Sequence, residues 1–167
     1  MSDAVLSIGS NLGDRLDRLR AVVETFRPWL AAVSPVYETP PWGPVPQDDF
    51  LNAVLLVRDP AADADEWLRR AQTAEAAAER VRAVRWGPRT LDVDVVDVAG
   101  VVSDDPGLTL PHPRAHERAF VLVPWLAVDP DATLSGRPVA SWLAELPPQE
   151  VAGVRRTEDV LLAERGP

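Results

Sequence analysis

Hydrophobic and polar positions along this chain fall into two alternating periods. Residues 4–9, AVLSIG, form a short apolar run, and SNLGDR after it supplies turn residues and a helix N-cap. Leu16, Leu19, Val22, Val23, Phe26, Trp29 and Leu30 then recur at helical spacing, and Pro28 lies inside the pattern, where a helix ends or kinks. AVSPVYET at 32–39 reads as a strand, and FLNAVLLVRD at 50–59 as the next. Helical spacing returns from about 64 to 82, capped by Asp63 or Asp65, with Trp67, Leu68, Ala71, Ala74 and Ala78 as its apolar side. TLDVDVVDV at 90–98 is a fourth strand.

The order strand, helix, strand, strand, helix, strand predicts an α/β sandwich of ferredoxin-like β-α-β-β-α-β type, an antiparallel sheet with helices packed on it. Two more helices are expected near 120–127 and 138–146, and residues 151–167 are weakly patterned, with VLLA left to pair with something. No repeat or linker splits the chain. One domain over 1–167 is expected, with a core of about 4–130 and a C-terminal extension of about 131–167.

Composition narrows the chemistry. With 167 residues the chain can bury one core, and with no cysteine it has no disulfide, thiolate metal site or cysteine nucleophile. The formal charge of −9 argues against broad nucleic-acid binding. The start, MSDAVLSIGSNLGDR, lacks a basic region before an apolar core, and no apolar run is long enough to span a membrane, so a cytoplasmic protein is expected. All 17 basic residues are arginine, which excludes a P-loop lysine or a Schiff-base lysine. Phosphate, if handled, must be met by arginine forks and metal. A GC-rich genome is the favoured cause of the bias, and the chemical exclusion stands either way.

Four stretches could carry chemistry. Asp92 and Asp94 share one face of the fourth strand, where two carboxylates suit a hard cation such as Mg²⁺ with phosphate oxygens and water. A D-x-D standing alone would be read first as a solvated face, but this one does not stand alone. Asp97 lies in the phase of Val93 and Val95 and reads as a strand-end residue rather than a third ligand. Arg80, Arg82, Arg85 and Arg89 cluster without local acids, which suits a polyphosphate, although a solvated basic loop is the rival. In LPHPRAHERAF, His112 stands between two prolines and could donate to phosphate, or be a plain loop histidine. Finally PPWGPVPQDD at 40–49 carries four prolines and an aromatic, beside Phe50 and Asn52. Flat apolar surface with an amide suits a planar heterocycle, against a core or lid role for Trp42 and Phe50.

Taken together these segments resemble the 6-hydroxymethyl-7,8-dihydropterin pyrophosphokinase family of folate biosynthesis. The carriers are IGSNLGDR (8–15), YETPPWGP (37–44), DFLNAV (49–54), RWGPRTLDVDVV (85–96) and LPHPRAHERAFVLVP (110–124), in the family's order. The resemblance implies transfer of pyrophosphate from ATP to the pterin hydroxymethyl group with release of AMP. It implies two Mg²⁺ ions on Asp92 and Asp94. It implies a pterin pocket of Gly9, Thr39, Pro40, Trp42, Phe50, Asn52 and Phe120, with the ring between Phe50 and Phe120. It implies ATP contacts from Gln72, Glu75, Arg82, Trp86, Arg89, Val95, His112 and Arg118, and mobile catalytic arginines at Arg80 and Arg89.

Some positions depart from the family. Phe50 stands where tyrosine is frequent, Trp42 where a smaller apolar residue is frequent, and Pro113 where proline often is not found. RVRAVRWGP is one residue shorter than in some members, which leaves Arg82 and Arg85 interchangeable. Small-molecule substrates, no nucleic acid, no membrane and a monomer are expected. A metal-dependent nucleotidyltransferase or phosphohydrolase on the same sheet is the rival enzyme; it would not need the proline loop with FLN. A pterin- or nucleotide-binding regulator without catalysis is the non-enzymatic rival.

Overall fold

The computed structural model describes residues 3–11, 14–40, 48–79 and 91–161. In chain order the elements are β1 (Asp3–Ser10), α1 (Arg15–Phe26), β2 (Leu30–Val33), β3 (Tyr37–Thr39), β4 (Phe50–Arg58), α2 (Ala64–Glu79) and β5 (Asp92–Val98). They are followed by a hairpin, β6 (Ser103–Asp105) and β7 (Leu108–Leu110), and then by α3 (Ala119–Val128). A second hairpin, β8 (Thr133–Leu134) and β9 (Arg137–Pro138), leads to α4 (Val139–Ala144), α5 (Pro148–Ala152) and β10 (Arg155–Arg156).

The main sheet runs β10-β3-β4-β1-β5, with β2 also paired to β4, and every pairing is antiparallel. With β2 and β3 counted as one interrupted strand, this is the ferredoxin-like arrangement, and β5 is the outermost strand of the sheet among the described residues.

Local chemistry sets the element ends. The Asp14 carboxylate accepts the Asp17 N–H at 3.2 Å and caps α1. The helix stops at Phe26 because Pro28 follows, and Arg27–Trp29 tighten into a 3₁₀ turn. Leu30, which the helical spacing places on α1, is instead the first residue of β2. Its apolar phase was met by a strand that starts directly after the turn. Asp63 caps α2 by accepting the Glu66 N–H at 2.8 Å.

The strand expected over 32–39 is broken at residues 34–36. Pro35 has no N–H for the ladder. The Ser34 hydroxyl takes over there, accepting the Val54 N–H at 2.9 Å while the Ser34 N–H donates to the Val54 carbonyl at 2.9 Å.

Each sheet face has its own core. On one face Leu6, Ile8, Leu55, Val93 and Val95 pack against Leu19, Val23 and Phe26 of α1 and Trp67 and Ala71 of α2. Burying Phe26 alone contributes about 1.5–3 kcal/mol. On the other face Val54 and Val96 pack under Leu122 and Trp125 of α3 and Val139 of α4.

Strand register shows what α3 leaves uncovered. Gly9 pairs with Asn52 and with Asp92, and Ser7 with Val54 and with Asp94, so these residues share the second face. Its half under α3 is apolar; its other half is small, polar or acidic.

A register shift between Val5 and Leu6 corrects one expectation. Strict alternation puts Asp97 in phase with the valines, but after the irregularity Asp97 pairs with Val5. It therefore lies on the same face as Asp92 and Asp94, at the far end, beside Leu56 and Trp125.

The C-terminal residues are tied into this frame. Arg155 and Arg156 pair with Glu38 and Tyr37, and Leu161 is buried in the first core. The sequence pattern shows neither contact, because two paired residues carry no period. No described helix is long and apolar enough to cross a membrane.

Candidate active site

The uncovered half of the second face is the floor of a cleft of about 320 Å³. Gly9, Thr39, Pro40, Phe50, Asn52 and Phe120 line one part of it, and Asp92, Asp94 and Arg118 another. The structure thus brings together the described residues expected to hold the pterin and both expected metal ligands.

The amide end is tightly built. Asn52 and Thr39 are buried, and the Asn52 Nδ2 donates to the Thr39 Oγ1 at 2.6 Å. A buried amide needs such partners. A Cβ added to Gly9 would stand 2.9 Å from the Asn52 Oδ1, so glycine is what leaves that oxygen room. Phe50 and Phe120 supply flat apolar surface, and the Arg118 guanidinium lies 5.6 Å from the Phe120 ring centre.

The acidic end is built on β5. Asp92 and Asp94 are half-buried on the cleft floor, and Arg118 approaches Asp94 at 3.8 Å. Among the described residues no group of three or more histidines, cysteines or carboxylates converges as a metal cage. Two carboxylates open to a cleft suit Mg²⁺, which takes its remaining oxygens from phosphate and water.

His112 stands beside this end rather than in the cleft wall. Its N–H donates to the Val96 carbonyl at 2.8 Å, and its Nδ1 accepts the Arg114 N–H at 3.2 Å. The neutral ring therefore carries its proton on Nε2. Burial pushes its pKa below the usual value; Asp94 opposes that, and Arg118 and Arg114 add to it.

Gln72, Glu75 and Val95 lie across the sheet from the cleft. Gln72 is exposed on α2, Glu75 is half-buried there, and the Val95 side chain is in the first core. Trp42, Arg80, Arg82, Arg85, Trp86 and Arg89 lie outside the described residues. Three cleft residues escaped the sequence reading: Ser7, Arg114 and Glu117. Ser7 was findable, two positions before Gly9 on a strand of period two. Arg114 and Glu117 sit in the PHPRAHER segment but have no period to mark them.

Comparison with known proteins shows the family. Residues 5–130 match the family described as 7,8-dihydro-6-hydroxymethylpterin-pyrophosphokinase (HPPK). The chain belongs to this family. A 2-amino-4-hydroxy-6-hydroxymethyldihydropteridine pyrophosphokinase of Mycobacterium tuberculosis is 54% identical over 168 residues, covering 93% of this chain and 89% of the relative. A protein of the same name from Mycobacterium leprae is 52% identical over 179 residues, covering 99% and 94%. Among solved structures, wild-type Plasmodium falciparum HPPK-DHPS with pterin and p-hydroxybenzoate aligns with a TM-score of 0.65 at 12% identity. That alignment covers 86% of this chain and 43% of the other, so this HPPK-family chain spans under half of that protein.

Proposed function

We propose that this protein transfers the pyrophosphoryl group of ATP to the hydroxymethyl group of 6-hydroxymethyl-7,8-dihydropterin, releasing AMP, in folate biosynthesis. One observation carries the reading: a single cleft joins a buried amide and two aromatic rings to a pair of carboxylates on the same sheet face. A hydrolase would need only the second half.

In this reading the pterin ring stacks between Phe50 and Phe120, and Pro40 and Trp42 complete its pocket. Asn52, oriented by Thr39, exchanges hydrogen bonds with the ring edge, and Gly9 keeps the backbone close. ATP lies at the β5 end of the cleft, beside Asp92 and Asp94. Gln72, Glu75 and the Val95 backbone hold its nucleoside part from the α2 side, with Trp86. Its phosphates reach Arg82, Arg89, His112 and Arg118 and the catalytic arginines Arg80 and Arg89.

Asp92 and Asp94 would hold two Mg²⁺ ions, which when bound neutralise phosphate charge and template the in-line arrangement. The pterin hydroxyl oxygen bonds to the β-phosphorus, and the bond from that phosphorus to the α-phosphate oxygen breaks. AMP carries away that bond's electron pair. No described side chain stands out as a general base: a bound metal would make the hydroxyl more acidic, and its proton would leave to water or to Asp94. His112, neutral with Nε2–H, donates to a phosphate oxygen without bringing a full charge. We take the active unit to be one domain, core plus C-terminal extension, working as a cytoplasmic monomer.

The test is AMP release from MgATP with and without 6-hydroxymethyl-7,8-dihydropterin, with the pterin product weighed by mass spectrometry. Pterin-dependent AMP and a pterin carrying two added phosphates are expected. ADP, or AMP with free pyrophosphate and no pterin requirement, would turn the assignment to a hydrolase.

A further inference from the structure

We infer that Arg114 is a further phosphate-binding residue of this cleft, one that grips the pyrophosphoryl group at the pterin end. The inference rests on the function proposed above and goes beyond the residues assigned there.

Arg114 precedes the 3₁₀ turn Ala115–Glu117 and lines the same cleft as Asp92, Asp94, Phe50 and Phe120. Its backbone is pinned at both ends. Its N–H donates to the His112 Nδ1 at 3.2 Å, and its carbonyl accepts the Glu117 N–H at 3.0 Å. The root of the side chain is therefore fixed at the cleft wall.

The guanidinium itself meets no carboxylate among the described residues. Arg118, four residues on, is engaged with Asp94 at 3.8 Å. Glu117, the acid of the same turn, lies 3.5 Å from the His116 Nε2. Most other described arginines are spent on acids: Arg15 on Glu38, Arg58 on Asp3, Arg70 on Asp59, Arg137 on Glu145 and Arg155 on Asp49. An unpaired guanidinium facing a cleft with two carboxylates on its floor has its donors available for an arriving anion. Planar forked donors match phosphate oxygens. Its field already reaches His112, on the phosphate side.

The side of the cleft decides which phosphate. Arg114 shares the space lined by Pro40, Phe50 and Phe120, where the pterin ring sits, and lies across the sheet from α2. It therefore meets the group being transferred, and keeps it once it is on the pterin.

The test compares two ligands on the same protein, 6-hydroxymethyl-7,8-dihydropterin and its 6-diphosphate, each with Mg²⁺, by equilibrium titration. In Arg114→Ala the affinity for the diphosphate should fall about tenfold or more, the scale of one charge-assisted contact, while pterin affinity stays unchanged. Arg114→Lys should recover part of the loss. Alanine keeps both backbone bonds, and the exposed position makes misfolding a poor explanation. Equal losses for both ligands would reveal a structural role and overturn the inference; so would no loss for either. A wild-type protein that binds neither ligand would sink the functional reading and Arg114's role with it. Wild-type binding with an unaltered Arg114→Ala variant would sink the latter alone.

Discussion

The Asn52 Oδ1 lies 2.9 Å from where a Cβ on Gly9 would stand. Real Cβ contacts do not approach an oxygen so closely, and Asn52 cannot swing aside freely: its other amide atom is held by Thr39 at 2.6 Å in a buried setting. Gly9→Ala should therefore break the Asn52–Thr39 bond or part the paired strands. The expected loss is about 1–3 kcal/mol of stability, as for other overpacked sites. Pterin affinity should fall with it. Urea unfolding and pterin titration on the same variant check both, and a variant as stable and as tight as wild type would show the amide has a second resting place.

Asp94 lies beside Arg118 on the cleft floor, apart from the Asn52–Thr39 pair. The two halves should therefore fail separately. Asp94→Ala should cut turnover by at least about a hundredfold, the scale of removing one transition-state stabiliser. Pterin affinity should be largely kept. Chelating the metal from wild type should mimic it. Lost pterin binding with turnover retained would reverse the roles assigned to the two halves.

The same β5 marks how far the sequence could be read. Period-two alternation placed Asp92 and Asp94 together, because that strand segment runs without interruption, whereas Gly9 entered the pocket only through the family resemblance. The alternation misplaced Asp97 because the register shift at Val5/Leu6 resets the phase, and one sequence carries no mark of it. Leu30 was misread for a related reason: its phase fits α1, and only the turn at Arg27–Trp29 moves it onto β2. Arg114 was missed because it sits on an aperiodic turn, where position comes from tertiary contacts alone.

Asp97, turned onto the second face, has an energetic signature. Burial pushes its carboxyl pKa above the usual value, and the Val98 N–H opposes this only in part. Sign follows from linkage. A raised folded-state pKa means the native state binds more protons, so the group's contribution is fully present below the ordinary carboxylate value and is lost as pH rises through the raised one. At neutral pH the charged carboxylate is a net cost. Asp97→Asn should raise the melting temperature at pH 7, and the gain should shrink as the pH is lowered into the carboxylate range. Thermal unfolding across that range measures it. A loss at pH 7 would mean the hydrogen bond from Val98 outweighs desolvation.

Arg155 and Arg15 meet the same two residues, Glu38 and Asp49. Arg155 reaches the Asp49 Oδ2 at 3.0 Å and the Glu38 Oε1 at 3.4 Å. Arg15 reaches the Glu38 Oε2 at 3.1 Å and donates to the Asp49 carbonyl at 2.7 Å. Glu38 and Asp49 flank Thr39 and Phe50, so the network braces the cleft wall and ties β10 to it. Arg155 is largely exposed, and single pairs of that kind are worth about 0–1 kcal/mol, so Arg155→Ala alone should barely move stability. Arg15→Ala should cost more, since it strands a backbone carbonyl. Because both arginines share partners, the double variant should depart from additivity by more than about 0.5 kcal/mol in urea unfolding. Strict additivity would mean the two sides of the brace act independently, and that β10 holds to β3 by its backbone ladder alone.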